Sequence, residues 1–394
     1  MSNIKQTEKD VIFQTYKRLP IVIDKSEAVR IWDTDGNIYL DFLAGIAVNA
    51  LGHSHPKILD AINEQAKKYL HVSNYFYQEA QIKLAKKITE ITGYNKVFFS
   101  NSGTEATEAA IKLARKWGNP KSKSKIFGFS GGFHGRTYAA LSLMDKPNYK
   151  NGMEPFLPDN KVIEINNIQQ LEENIGDDTC ALILEFIQGE GGLNSPSEQF
   201  LDKIAELKDK YGFLLIADEV QSGFGRTGKF FAFQHTKIKP DIITMAKGMG
   251  GGLPLGGILA NNELASLWEP GNHGTTYGGN ALACATGYVV VDELEHGLLD
   301  HVNNIGEYFH EKLTGIKDKY SDKVIEVRGR GLMKGLLLNF EAAELVSELL
   351  KRKVIANAAS GNVLRMVPPL IVQKDDIDEF IDKLDESLSA IQNV

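Results

Sequence analysis

The sequence predicts an α/β protein with a mostly parallel central sheet flanked by helices, followed by a smaller α+β domain. Three observations carry that expectation. Short apolar runs alternate with amphipathic, helix-periodic stretches through the first three quarters of the chain. Several of the runs are apolar throughout, as strands covered on both faces are. Glycine-rich loops follow them, where an open α/β sheet offers its strand ends to a ligand.

Taken in order, residues 1–30 predict a helix through Phe13 and Tyr16 and then an extended piece. Alternating apolar residues around Asp35-Gly36 predict a tight hairpin. Helices are expected over 57–69 and 78–92, then a strand over 96–100. A long helix opens near Ser102, with Ala106, Ala109, Ala110, Leu113, Ala114 and Trp117 as its apolar stripe. Further strands are expected over 126–129, 181–187, 213–218 and 242–245, with a helix over 203–211 and another running to about 295. The tail then reads as a helix at 301–317, strands at 323–327 and 332–338, a helix at 342–353, an extended piece from 363 and a last helix from about 375. The expected units are an N-terminal segment over 1–50 that packs with the small domain, a large α/β domain over 51–290 and a small α+β domain over 291–394.

A chain of 394 residues with 43% hydrophobic content can bury large cores. Its net charge of −7 leaves no electrostatic footprint for nucleic acid. The N-terminus lacks the apolar core of a signal peptide, and no apolar run approaches a membrane span. A soluble, cytoplasmic protein with no membrane partner is expected. Cys180 and Cys284 sit in apolar contexts and read as reduced core residues.

The chemistry gathers at strand ends. Lys247 ends one apolar run and is followed at once by Gly248. A lysine partly desolvated in a crevice loses proton affinity and becomes a nucleophilic amine. Asp218 ends another run. A lysine and a carboxylate so placed suggest pyridoxal 5'-phosphate, which needs a lysine for its Schiff base and an acidic partner for its ring nitrogen. Ser102 and Glu105 have capping-box spacing, and the free amides of Gly103 and Thr104 at that helix start form an anion site. Phe133, in a glycine loop, is either a core residue or a stacking surface, and Arg136 beside it is able to hold a carboxylate by two points.

Other motifs fail on context. Asp33 and Asp35 lack the remaining ligands of a calcium loop. His53 and His55 have no further ligands nearby, so no metal is expected. Gly223 to Gly228 matches a dinucleotide fingerprint, but no phosphate-binding helix follows. Gly128-Phe-Ser130-Gly-Gly132 matches a nucleophile elbow, with Asp218 and His273 in the chain order of a serine hydrolase. That remote alternative leaves Lys247 unexplained.

Ser102-Gly-Thr-Glu-Ala106, Phe133-His-Gly-Arg136, Gln188-Gly-Glu-Gly-Gly192, Asp218-Glu-Val-Gln221, Ala246-Lys-Gly248 and Thr275-Thr-Tyr-Gly-Gly-Asn280 together resemble the class III pyridoxal-phosphate-dependent aminotransferases of fold type I, from about Tyr16 into the C-terminal domain. The resemblance implies that Lys247 carries the cofactor and moves the proton, and that Asp218 partners the ring nitrogen. Gln221 would border the ring oxygen, Ser102, Gly103 and Thr104 would hold the phosphate, and Phe133 would stack on the ring. Thr276 would reach the phosphate of a neighbouring subunit and Thr275 that subunit's substrate, which makes a homodimer part of the site. Arg136 and Arg365 would hold the two carboxylates of glutamate, with Tyr16 also at the substrate, and Glu190 would shield Arg365 when the other substrate is bound. Phe186 departs from the proline usual there.

The stretch from Gly45 to Pro56 is similar to the branch that moves the terminal amine of N2-acetyl-L-ornithine to 2-oxoglutarate in arginine biosynthesis. Relatives acting on free ornithine carry a tyrosine at the position of Ile46. Isoleucine offers a charged α-ammonium no partner, and desolvating one is costly. Ornithine, 4-aminobutyrate or a succinylated diamine remain alternative donors, and an aminomutase or decarboxylase the competing classes on this fold.

Overall fold

A computed structural model describes residues 2–391 of the chain. The expected hairpin forms β1 (Ile23–Glu27), β2 (Arg30–Asp33) and β3 (Ile38–Asp41), paired antiparallel. Asp33 knots its turn, accepting from the Asp35 and Asn37 amides, the Asn37 side chain and the Tyr39 hydroxyl. The helix expected through Phe13 and Tyr16 is shorter, ending at Ser2–Val11. Just beyond it, the Gln14 side chain takes the Ile12 carbonyl and the Thr15 amide takes the Phe13 carbonyl. A continuing helix needs those carbonyls for amides four residues on.

The large sheet takes β4 (Lys96–Ser100), β5 (Lys125–Phe129), β6 (Asn160–Ile163), β7 (Thr179–Leu184), β8 (Leu214–Asp218), β9 (Ile242–Met245) and β10 (Gly256–Ala260) in the order β4-β10-β9-β8-β7-β5-β6. β10 is antiparallel to both neighbours and every other pair is parallel. β4, β5, β7, β8 and β9 therefore all deliver their C-terminal ends to one edge. The sequence reading assigned no strand to β6 or β10. β10 opens on Gly256-Gly257, which carry little strand signal. Packing demands them: a Cβ on either would stand 2.5 Å from the carbonyl oxygen of Ser102 or Phe98. The run expected over 181–187 leaves the sheet after Leu184, so Glu185 falls on the loop. The helix expected at 203–211 starts earlier, at Glu198–Tyr211, because the Ser197 hydroxyl caps it by accepting from the Phe200 amide.

The helix Gly103–Gly118 lies on one face of this sheet. Its alanine stripe packs with Ile126, Ile183, Ile216, Ile242 and Ile258, side chains that stand above the strands. Small residues let the helix axis approach closely, and each isoleucine fully withdrawn from water contributes roughly 1.5–3 kcal/mol.

The last third supplies β11 (Val324–Arg330), β12 (Met333–Leu338), β13 (Val354–Ile355), β14 (Asn357–Ala359) and β15 (Val363–Met366). β11, β12, β15 and β14 form an antiparallel sheet, while β13 pairs in parallel with β3. Helices Leu299–Lys319, Ala342–Lys351 and Lys374–Ala390 cover this region. Phe42 stacks on Phe380 at 4.1 Å between ring centroids, joining the segment after the hairpin to the last helix. Both cysteines are buried and unpaired.

Candidate active site

A cavity of about 440 Å³ opens where the strand ends converge. Ser102, Gly103 and Thr104 line it from the start of the helix after β4, and Phe133 and Arg136 from the loop after β5. Glu190 comes from the loop after β7, Asp218 and Gln221 from the end of β8, and Lys247 from the end of β9.

Lys247 leaves its strand with φ +45, a left-handed conformation that costs a residue with a side chain roughly 1–3 kcal/mol. Burial, and next the Arg365 guanidinium, push its ammonium down to about 8. The amine is therefore partly free of its proton near neutrality.

Asp218 is 3% exposed and fully engaged on the protein side. One oxygen accepts from the Val220 amide at 3.1 Å and the Thr244 hydroxyl at 3.2 Å, and the other pairs with His134 Nδ1 at 2.7 Å. Burial opposes a charge on His134, but its hydrogen bond to Asp218 and the negative charge there outweigh that and raise its affinity for a proton. Behind Asp218 lies Glu185, pushed up to about 7 by burial and then by the Asp218 carboxylate. It accepts from the amides of Phe133 at 2.8 Å and Gly189 at 3.1 Å, and so ties two of the cavity's loops together. Sequence reasoning missed both His134 and Glu185. His134 stands between two residues that were singled out, and Glu185 was absorbed into a strand.

The helix start is shaped for an anion. The Ser102 hydroxyl accepts from the Glu105 amide at 3.4 Å, and the Glu105 carboxylate reaches back to the Asn101 amide at 2.6 Å. The reciprocal cap thus closes one residue further out than the spacing suggests. Neither bond uses the amides of Gly103 and Thr104, which a helix start leaves without intrahelical partners. The Thr104 hydroxyl accepts from the amides of Arg136 and Thr137, both at 3.2 Å, and fixes the Phe133–Arg136 loop against the helix. A Cβ on Gly135 would stand 2.2 Å from that hydroxyl, and one on Gly103 would stand 2.7 Å from Val220. The loop closes this tightly only with glycine.

Arg365 reaches the cavity wall from β15 of the other sheet. It is 1% exposed, and its Nη1 donates to Glu190 Oε1 at 2.5 Å, Gly189 O at 2.8 Å and Gln221 Oε1 at 3.1 Å. Burial alone would raise the Glu190 carboxyl, but the charge and hydrogen bond of Arg365 hold it below the usual range. Lys146 donates to the Glu190 carbonyl at 2.8 Å and secures the same loop. Arg136 is exposed at the mouth, with its guanidinium 3.6 Å above the Tyr149 ring and 5.6 Å from the Phe133 ring.

Three expected residues lie away from this cavity within one chain. Tyr16 is 73% exposed on the N-terminal segment. Thr275 and Thr276 line a separate open cleft with Asn74 and Tyr75, where the Thr275 hydroxyl bonds Asn101 at 3.1 Å. Ile46 is exposed beside the cavity, in a left-handed turn where Ala44, Gly45, Ile46 and Ala47 have φ of 49, 65, 66 and 61. Val48, at the end of that turn, is the residue that lines the cavity.

The discarded motifs have structural uses. The Ser130 hydroxyl accepts from the Ile165 amide, Asp218 is bonded to His134, and His273 to Lys112, so no hydrolase triad assembles. The Gly223 to Gly228 loop carries Arg226, which donates to the carbonyls of Leu332 and Pro368 and joins the two large regions of the fold. His53 pairs with Asp41 at 2.7 Å. Among the described residues the one cluster with metal-like spacing, Asp292, Glu295 and His296, is occupied by the Lys87 ammonium at 2.9 and 2.6 Å from its two carboxylates. Phe186 is core, packed near Phe233.

The donor set fits pyridoxal 5'-phosphate. One cavity joins an amine of lowered proton affinity, a fixed carboxylate, an aromatic face and unpaired amides at a helix start.

Known proteins agree. The family described as aminotransferase class-III matches residues 12–388. The acetylornithine aminotransferase of Caldanaerobacter subterraneus subsp. tengcongensis is 45% identical over 98% of this chain and 99% of its own. That of Aquifex aeolicus is 47% identical over 96% and 99%. Among solved structures, the ornithine aminotransferase from Toxoplasma gondii ME49 superposes with a TM-score of 0.92 at 30% identity, covering 98% of this chain and 94% of that one.

Proposed function

The chain belongs to the class-III aminotransferases, pyridoxal-phosphate-dependent enzymes of fold type I, and from that premise we propose that it moves the terminal amino group of N2-acetyl-L-ornithine to 2-oxoglutarate. The products are N-acetylglutamate 5-semialdehyde and glutamate. The observation that carries this reading is the buried contact between Arg365 and Glu190 beside Lys247. An amine donor and a dicarboxylate must use one site in turn, and a guanidinium covered by a carboxylate serves both.

The bound cofactor supplies an electron sink for the carbon that loses its proton. Lys247 Nζ would hold the cofactor and, as a free amine, would take a proton from the donor's terminal carbon in one half-reaction and deliver one to the α-carbon of the forming glutamate in the other. Its lowered proton affinity suits it to accept a proton near neutral pH. Asp218 supplies the negative charge that keeps a ring nitrogen protonated, and His134 and Thr244 hold its carboxylate in place. Gln221 already gives its oxygen to Arg365, so it meets the ring oxygen through its amide nitrogen. Ser102, Gly103 and Thr104 hold the phosphate, and Phe133 covers the ring. Arg136 takes the donor's α-carboxylate. Arg365 takes that of glutamate once Glu190 has moved aside, and Tyr16 closes on the substrate.

In this reading Thr275 and Thr276 serve the site of a second copy of the chain. Exposed Tyr75, Phe76, Tyr77 and Tyr277 around that cleft are the apolar side chains that such a homodimer would bury. Soluble action in the cytoplasm accords with the described residues, among which no helix is long and apolar enough to cross a membrane.

A panel of donors with 2-oxoglutarate tests the assignment. kcat/KM for N2-acetyl-L-ornithine should exceed that for ornithine, and Ile46→Tyr should narrow the gap. A ratio at or below one would replace the acetylated donor with ornithine, 4-aminobutyrate or a succinylated diamine.

A further inference from the structure

A second cavity, of about 620 Å³, lies on the opposite side of the Gly189–Leu193 loop from the active site. Its walls are the helix Leu299–Lys319, the β11–β12 hairpin and the segment after Gly192. We propose that this cavity is a binding site for a small oxyanion, a phosphate or a compact polycarboxylate.

The central observation is Lys334, a cavity-lining residue only 4% exposed. Among the described residues its ammonium has no hydrogen bond and no ion pair within 4.0 Å, in a protein whose other buried cations are engaged. Arg365 makes four hydrogen bonds, Arg226 donates to two carbonyls, and Lys323 donates to the carbonyls of Leu388 and Ile391. The buried stem of Lys334 leaves its ammonium little contact with water, and holding it there without a counter-charge is costly. Burial pushes it down to about 8, as for Lys247, so the charged form is the major but not the sole one at neutral pH.

A second polar group is also vacant. His310 Nδ1 is buried in the cavity wall without a partner. Arg330 stands exposed at the rim and adds positive charge near Lys334. The two carboxylates at the cavity do not neutralise Lys334. Glu326 is taken by Arg328 at 2.6 Å, and Glu307 acts on the ammonium only at a distance. His235 spends its Nε2 on Thr227. Lys334 and Arg330 are left lining a space of ligand size, and an oxyanion supplies the missing charge and acceptors together.

The site adjoins the substrate machinery. Arg328 Nη1 donates to Gly192 O at 3.0 Å and Asn194 Oδ1 at 2.9 Å, two residues beyond Glu190 on the same loop.

The test is calorimetry on the cofactor-loaded enzyme with inorganic phosphate in one arm and citrate in the other. One ion per protomer should bind in at least one arm, and the arm that binds gives the class. Lys334→Met should weaken binding at least ten-fold, and Lys334→Arg should keep it. Arg330→Gln, on the exposed rim, should weaken it several-fold and decides the matter should Lys334→Met fail to fold. No heat in either arm would overturn the proposal. So would binding that survives Lys334→Met, or Arg330→Gln in its place, but is lost in Arg136→Ala, because the ion would then sit in the main cavity.

Discussion

The floor and the wall of the active-site cavity are built differently. The floor is Asp218 and Lys247, at the ends of adjacent strands of one sheet, with Asp218 backed by His134 and Thr244 at 2.7 and 3.2 Å. The wall is the Arg365–Glu190 contact, which crosses between two sheets, with Arg365 on β15 and Glu190 on the loop after β7. The partners of Asp218 are a strand threonine, a buried imidazole and the Val220 amide two residues on. Glu190 stays 24% exposed on its side chain, and among the described residues its carboxylate is held by Arg365 alone. In the proposed reaction, chemistry common to both half-reactions would fall on the more buried of the two regions, and discrimination between the two substrates on the more exposed contact.

The largest expected effect lies on the floor. Lys247→Ala should lower turnover with every donor by at least about 1,000-fold, because a positioned acid–base group alone is worth roughly 100- to 10,000-fold. Near-normal steady-state rates in that variant would remove Lys247 from its proposed role.

Asp218→Asn should slow both half-reactions alike, by about 100-fold, while cofactor still binds. An amide cannot hold the ring-nitrogen charge, and a charge-assisted contact contributes on the order of 1.5–3 kcal/mol. Single-turnover absorbance traces of the two halves check the symmetry, and slowing of only one would merge floor with wall.

At the wall, Arg365→Ala should slow the glutamate half-reaction about 10- to 100-fold and the acetylornithine half far less. Equal slowing of both halves would break the comparison, since it would make Arg365 part of the common machinery. The smallest effect is expected for Glu190→Gln. Uncovering Arg365 should shift kcat/KM a few-fold toward glutamate, the direction opposite to Arg365→Ala; a shift toward the acetylated donor would mean that Glu190 does not shield.

Much of this was legible in the sequence, for a local reason. Lys247, Asp218, Ser102 and Phe133 each lie at or within four residues of the end of an apolar run, and in a parallel sheet the ends of such runs share an edge. Strand ends and helix periodicity point Lys247, Asp218 and Ser102 to one edge, and the family resemblance adds Phe133. The alanine stripe of the helix after Ser102 was equally plain, because burial on one face repeats with the helical turn.

What only the tertiary structure decided has no local signal. Glu185 looked like strand until the sheet ended at Leu184 and turned its carboxylate onto two loop amides. His134 became the brace of Asp218 across 84 residues of chain. The antiparallel β10, opening on two glycines, was set by the closeness of neighbouring backbone rather than by strand propensity. The left-handed turn at Ala44–Ala47 runs against the preference of three side-chain-bearing residues, and surrounding contacts impose it. The helix expected through Phe13 and Tyr16 failed for the converse reason: with no partner surface in the chain, its apolar residues had nothing to hold them in register. Sequence fixes periodicity and strand ends because those depend on neighbours along the chain. Pairing, strain and the state of buried charges depend on neighbours in space.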